Sequence, residues 1–413
     1  MADTPSAPEF SPDIWQRLIQ WLHKQKAYDP KRLTDPEPRA AIEETRRILA
    51  KPLKDISIKQ EIPEELTATL DENIFFFSGF KTHHELVEAS RMLKGEDGNF
   101  KPFQQFLKDV EKLNHIYNQH YLRAEYNFAT ASTQMAVKWK EWEQDGDRYD
   151  LQYRTAGDDR VREEHAALDG ITLPPSDPFW DSYLPPNGWN CRCTTVQVRR
   201  GKYPQSDPAA AMAAGARCTD TPKKQIFRFN PGKQEKIFPP KHPYYKVPKE
   251  IGEIVESVRR EIIKQDKKRT VESIKQSKET IDQFKGISIK GTQFESGRIT
   301  VLRRSLNDIY EHAIENEGIR NWLQDFNMAN LSRMKYKGWA KNRPYAKDHP
   351  KYDPDNPQKS KHDNDTDYFL YYTIKINKRD YWVNVKMHKH FGEVVYTIEK
   401  EKPIDLIPGH KKK

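Results

Sequence analysis

Cysteine is nearly absent from this chain, with only Cys191, Cys193 and Cys218 in 413 residues. So few thiols cannot staple a chain of this length, which excludes a disulfide framework. Long apolar runs are also missing. The longest strongly apolar run is Ile74–Phe77, far short of the roughly 20 residues needed to cross a bilayer, so no membrane partner is expected. The opening MADTPSAPEFSPD has neither the basic stretch nor the apolar core of a secretory leader, pointing to synthesis in the cytoplasm. No internal repeat is visible.

What is present is polar and long enough for two or three domains. Hydrophobic residues make up 36% and charged residues 32%, too apolar a mix for wholesale disorder. Lys and Arg number 70 against 61 Asp and Glu, a net charge of +9. That excess suits work beside nucleic acid, and suits a merely basic surface equally well.

Apolar periodicity predicts an α+β multidomain chain. Residues 1–100 are a helical region, with a short amphipathic helix through Ile14, Leu18, Ile19 and Leu22 and a second over 40–50, stopped by Pro52. In 101–247, a long helical stretch from Pro102 to Gln144 buries Phe106, Val110, Leu113 and Tyr117 on one face. Irregular, proline-dense chain rich in Cys and Trp follows, with Val196 and Val198 in a strand and Ala209 to Ala214 as a short helix or loop. Residues 248–285 read as a linker helix bending near Asp266 to Arg269. Residues 286–402 read as helix plus antiparallel sheet, with strands over 298–303, 368–376, 381–387 and 393–398 and a hairpin at Asn377 to Asp380. Residues 403–413 form a basic tail.

The most informative stretch is Tyr149 to Val198. Asp159, Arg162, His165 and Asp169 fall at helical spacing and are expected on one face. Asn187-Gly188 makes a turn, and Trp189, Asn190, Cys191 and Cys193 enter a strand. Two readings stay open. In one, His165, Cys191 and Cys193 hold a structural zinc, with Asp169, His242 or Cys218 as fourth donor. In the other the motif is purely structural, because two thiols two residues apart on a regular strand share a face yet sit too far apart to chelate easily.

The pieces DDRVREEHAALDG, DPFW and PPNGWNCRC resemble the signature of the phage Mu F-like minor head proteins, over about Leu122 to Tyr245. The resemblance implies a minor capsid component of a tailed phage or prophage, made in the bacterial cytoplasm and resident in the capsid interior. It implies association with the portal protein, a role in head morphogenesis or DNA delivery, and packaged DNA as a neighbour, with an immunity or scaffold protein as a further partner.

The carboxy-terminal 286–402 resembles, in element order, the barnase/EndoU/colicin/RelE-like (BECR) group. In YWVNVKMHKH, Val383, Val385 and Met387 alternate with Asn384, Lys386 and His388, so one strand face carries an amide, an ammonium and an imidazole. A metal-independent ribonuclease needs a base, an acid and a cation. His312 and His388 are candidates for acid and base, and Lys386 and Arg303 for the cation. Lys337, Trp339, Lys341 and Arg343, in a polar loop, would stack bases and hold phosphates of an RNA substrate. No cofactor is required. The alternatives are a virion-delivered nuclease toxin, or a nucleic-acid-binding module without cleavage.

Overall fold

The computed structural model describes residues 8–60, 62–282, 288–302, 333–342, 366–376, 379–388, 392–399 and 406–409. The fold is α+β, and the chain divides into unit 1, Met1–Glu261, and unit 2, Ile262–Lys413.

Unit 1 begins with helices α1 (Pro12–Gln25), α2 (Pro36–Leu49), α3 (Lys51–Lys59), α4 (Glu64–Arg91), α5 (Phe103–Asn114) and α6 (Leu122–Asp145), with a π-helical segment, His115–Tyr121, between the last two. Local chemistry sets several of these ends. The Ser11 side chain accepts from the Ile14 N–H to cap α1, and Lys26 closes it in the left-handed region at φ 61°. Pro52, expected to stop the second helix, also opens α3. A first-turn proline loses nothing, because its missing N–H would have had no partner there.

The 28-residue α4 has no counterpart among the sequence expectations. Residues 77–83 are buried without a break. Over those middle turns the helix is covered on all sides and carries no one-sided apolar stripe to reveal it. Its neighbours approach closely: a Cβ on Gly79 would come within 2.6 Å of Val255 Cγ1. Val255 lies on α11 (Lys249–Asp282), which remains helical through Asp266 to Arg269, where a bend was expected. Together with the Arg259–Glu72 ion pair at 2.7 Å, this contact docks the start of α11 on α4 rather than leaving it as a free spacer.

Between α6 and α11 the regular elements are short: β1 (Tyr149–Arg154), α7 (Glu163–Ala166), β2 (Thr172–Leu173), α8 (Phe179–Tyr183), β3 (Thr194–Arg199), α9 (Pro208–Cys218) and α10 (Pro222–Gln225). The strands form one antiparallel sheet in the order β2-β1-β3, with Leu151 opposite Leu173 and Tyr153 opposite Thr195. Its core gathers Trp139 and Trp142 of α6 with Leu151, Tyr153, Trp180 and all three cysteines. The irregular tail 226–245 is pinned back on α4. Asn73 Oδ1 accepts from the N–H groups of Ile237 and Phe238 at 2.9 and 2.8 Å, and Phe77 stacks on Phe238 at 3.7 Å.

Unit 2 holds a six-stranded sheet of β4 (Ser288–Lys290), β5 (Arg298–Thr300), β6 (Lys335–Lys341), β7 (Thr366–Ile376), β8 (Arg379–His388) and β9 (Gly392–Glu399). The order is β4-β5-β9-β8-β7-β6, antiparallel except for β5 with β9. Lys337, Trp339 and Lys341, expected in a loop, lie on β6. No described helix is long and apolar enough to cross a membrane.

A candidate metal centre in the irregular region

The expected single helix carrying Asp159, Arg162, His165 and Asp169 is not there. Only Glu163–Ala166 is helical, with Arg162 as its N-cap residue. Residue spacing does not separate the two cases, because residues three and four apart occur in turns and loops as well as on a helix face. Asp159 is exposed, in a turn. The Asp169 carboxylate accepts from the Thr155 N–H at 2.7 Å and from its hydroxyl at 3.0 Å, tying the end of β1 to the chain after α7.

The Cys-Arg-Cys segment likewise precedes its strand instead of lying in it, since β3 starts at Thr194. Asn190 adopts φ 55°, a left-handed conformation that Asn tolerates better than most residues, and the Cys191 N–H donates to Gly188 O at 3.2 Å. This turn removes the objection that an extended Cys-x-Cys spreads its thiols. His165 Nδ1 lies 3.5 Å from Cys191 Sγ and 3.5 Å from Cys193 Sγ. The three donor atoms all lie within 4.8 Å of one another.

Those distances have a direct meaning. With Zn–N of about 2.0–2.1 Å and Zn–S of about 2.3 Å, a tetrahedral N···S edge is roughly 3.6 Å. The two observed edges match this value. The donor set is also right, because thiolate and imidazole are the ligands that zinc takes in structural sites.

The surroundings hold the donors in place. Tyr153, fully buried on β1, donates its hydroxyl to Asn187 Oδ1 at 2.9 Å, and Asn187 Nδ2 donates to Leu184 O at 3.5 Å. The Arg162 guanidinium donates to Trp189 O at 3.3 Å and lies so close to Gly188 that a Cβ there would stand 3.1 Å from it. Trp189 packs edge-on against Phe128, Phe227 and His242. Arg192 grips Asp158 with two bonds of 2.6 Å. The hydrogen bond from Cys193, helped by His165 and opposed by burial, holds the Cys191 thiol well below its ordinary range, while the Cys193 thiol is pushed up by that same bond and by burial. The pair gives up its first proton readily and its second reluctantly, and a bound dication would favour loss of both. Tyr153 and Asn187 carry no signal in the sequence. Their role depends on β1 lying beside a turn 34 residues away, which no local pattern encodes.

The residues singled out in unit 2 are described only in part. Arg303, His312 and Arg343 lie outside the described residues. Asn384 and Lys386 are buried, at 7% and 5% exposure, and Lys386 Nζ sits 5.3 Å from the Tyr396 ring centre. His388, half-buried, ends β8. Lys337 and Lys341 are exposed on β6, and Trp339, half-buried, exchanges backbone hydrogen bonds with Ile407. One buried acid was not anticipated: Glu393 accepts from Tyr372 Oη at 2.6 Å and from the Ser296 N–H, joining the β4–β5 hairpin to the sheet.

Residues 98–196 match the family described as Phage Mu protein F like protein. The matched stretch contains His165, Cys191 and Cys193, and it begins before Leu122 and ends well short of Tyr245. The chain is 39% identical over 69 residues to a putative capsid assembly protein F of Escherichia phage Mu, covering 16% of each chain. It is 43% identical over 62 residues to the Mu-like prophage FluMu F protein of Haemophilus influenzae, covering 13% of this chain and 15% of that one. The aligned stretches therefore span about a sixth of these curated relatives. No solved structure matches.

Proposed function

We propose that this chain is a minor head protein of a tailed phage or prophage, acting in head morphogenesis and docking at the portal through unit 1. The observation that carries the reading is the family match over 98–196, which falls on the segment containing the metal-ligand cluster. In this reading the chain is made in the host cytoplasm and resides inside the capsid, and its excess of 70 basic over 61 acidic residues suits a place beside packaged DNA. Compositional analysis of purified particles should find the polypeptide in low copy, and it should co-sediment with portal rings in a mixing assay. Particles that lack it, together with a chain that ignores portal rings, would overturn the assignment.

We read the His165, Cys191 and Cys193 cluster as a structural zinc centre. The metal would tie α7 to the turn before β3, in a region with little regular structure to hold itself together. Metal analysis of the purified full chain should return about one zinc per chain.

For unit 2 we favour contact with nucleic acid over cleavage. Lys335, Lys337 and Lys341 are exposed along β6, which suits contact with phosphates, whereas Lys386, the cation of the ribonuclease reading, is buried. Incubating the full chain with tRNA in EDTA tests this. Binding without degradation is expected, and degradation that is lost in His388→Ala or Lys386→Ala would restore the ribonuclease reading, with an enzyme carried as cargo.

A further inference from the structure

The zinc reading leaves one tetrahedral position unassigned, and the structure narrows the choice. Asp169 is committed to Thr155. His242 is held in an aromatic nest: its Nδ1 accepts from the Tyr244 N–H at 3.2 Å and its ring packs on Phe77 and Trp189. Glu164, next to a ligand in sequence, pairs with Lys224 at 3.0 Å.

Cys218 is differently placed. It is the last residue of α9, and it shares the buried face of that helix with Ala211, Ala214 and Gly215. That face enters the same core as Cys191, Cys193 and Tyr153. The approach is tight, because a Cβ on Gly215 would come within 2.4 Å of the Tyr183 ring. The helix end is pinned by Arg228, which donates to Thr219 Oγ1 at 2.7 Å and to Thr219 O at 2.9 Å. A chain with three cysteines in 413 residues thus brings every one of them to a single core, beside the one buried histidine of α7.

We infer that Cys218 Sγ is the fourth zinc ligand, giving a closed Cys3His site that ties together α7, the turn before β3 and the end of α9. The inference rests on the zinc reading above. Cys218 Sγ is not among the donors that lie within 4.8 Å of one another, so loading the metal requires the Cys218 side chain to move toward that group. A closed set of four protein donors is the arrangement of structural zinc sites, whereas catalytic sites keep one position for water. A dication at the end of α9 also suits the negative pole of that helix.

The whole chain is tested as purified, with zinc itself as the probe. Zinc-edge X-ray absorption of the wild type should give three sulfur neighbours and one nitrogen. Cys218→Ala should bind zinc more weakly by at least the roughly 10-fold that losing an outer-shell partner costs. In cobalt-substituted protein, the variant's thiolate-to-metal absorption should fall by about one third, since one of three thiolates is lost. Two sulfurs in the wild type, or unchanged affinity and absorption in Cys218→Ala, would overturn the Cys3His assignment and leave zinc in a three-ligand site. Absence of zinc binding by the reduced, folded wild type would overturn the zinc reading itself, and with it this inference. The absorption measurement on the wild type keeps the test decisive even where Cys218→Ala fails to fold.

Discussion

Two polar clusters in unit 1 hold their surroundings together by different means. In the helical region, Lys81 is fully buried on α4. Its ammonium donates to Tyr117 O at 2.7 Å and pairs with Glu125 of α6, while Asn118 donates to Glu85 at 2.7 Å. In the irregular region, His165 and the cysteines meet across segments with almost no regular structure. Long helices satisfy their own backbone, so the first region can carry a buried ion pair whose value lies in register. The second must find its cross-links in side chains. A metal ion suits that task, because it pulls donors from several segments to one point without needing an extended element to present them. The contrast teaches that the entropic demand of ordering a chain can be met by regular structure or by side-chain cross-links between irregular segments.

The contrast can be broken most sharply at Lys81. Lys81→Met strands a buried Glu125 carboxylate, and a loss of about 3–5 kcal/mol is expected in denaturant unfolding. Lys81→Met combined with Glu125→Leu should recover most of it, and no recovery would mean that the pair contributes more than mutual neutralisation. Next in size is metal removal. A zinc chelator should lower the melting temperature of the wild type, by the equivalent of about 3 kcal/mol if free zinc stood about 100-fold above Kd. It should leave Cys191→Ser unmoved, while the Lys81 variants keep full sensitivity.

Glu85 offers a pH-dependent test. Burial pushes its carboxyl up to about 7, against the easing influence of Lys81 and the Asn118 bond. Among the described residues Asn118 Oδ1 has no donor, and a protonated Glu85 would supply one. Because the folded chain favours the protonated form, the stability that Glu85 contributes is full below its ordinary value of 4.5 and is lost as pH rises through about 7. Glu85→Gln should flatten that decline, with a ceiling of about 3 kcal/mol set by the shift, read as Tm against pH from about 4 to 9. An unchanged profile would place the proton elsewhere. The smallest effect is expected at Gly215→Ala. The new methyl meets the Tyr183 ring at a cost of about 1–3 kcal/mol, and zinc affinity should weaken with it, since α9 carries Cys218.

Elements with one apolar face are legible in the amino-acid sequence. The α1 stripe, the α5–α6 pair and the hairpin β7–β8 all fall where periodicity places them, because a half-buried helix or strand writes its period into the chain. The α4 helix is hidden for the opposite reason, its middle turns over 77–83 being buried all round. The short α7 looks longer in the sequence than it is, since polar residues three and four apart also occur in turns and loops. Lys386 lies on a strand face that alternation marks as polar and that the fold buries, because period-two alternation reports which side chains share a face and says nothing about what covers it.

The amino-acid sequence alone determined the broad division into a helical half and a sheet-bearing half, the absence of disulfide cross-linking, and the candidacy of His165, Cys191 and Cys193 as donors. Spacing along a chain is enough for those, since propensity and burial act locally. Tertiary structure alone decided that the Cys-Arg-Cys forms a turn, that its thiols stand one tetrahedral edge from an imidazole, and that Cys218 enters the same core. Each of these depends on segments far apart in sequence packing against one another, and no local pattern records where a loop will be brought to rest.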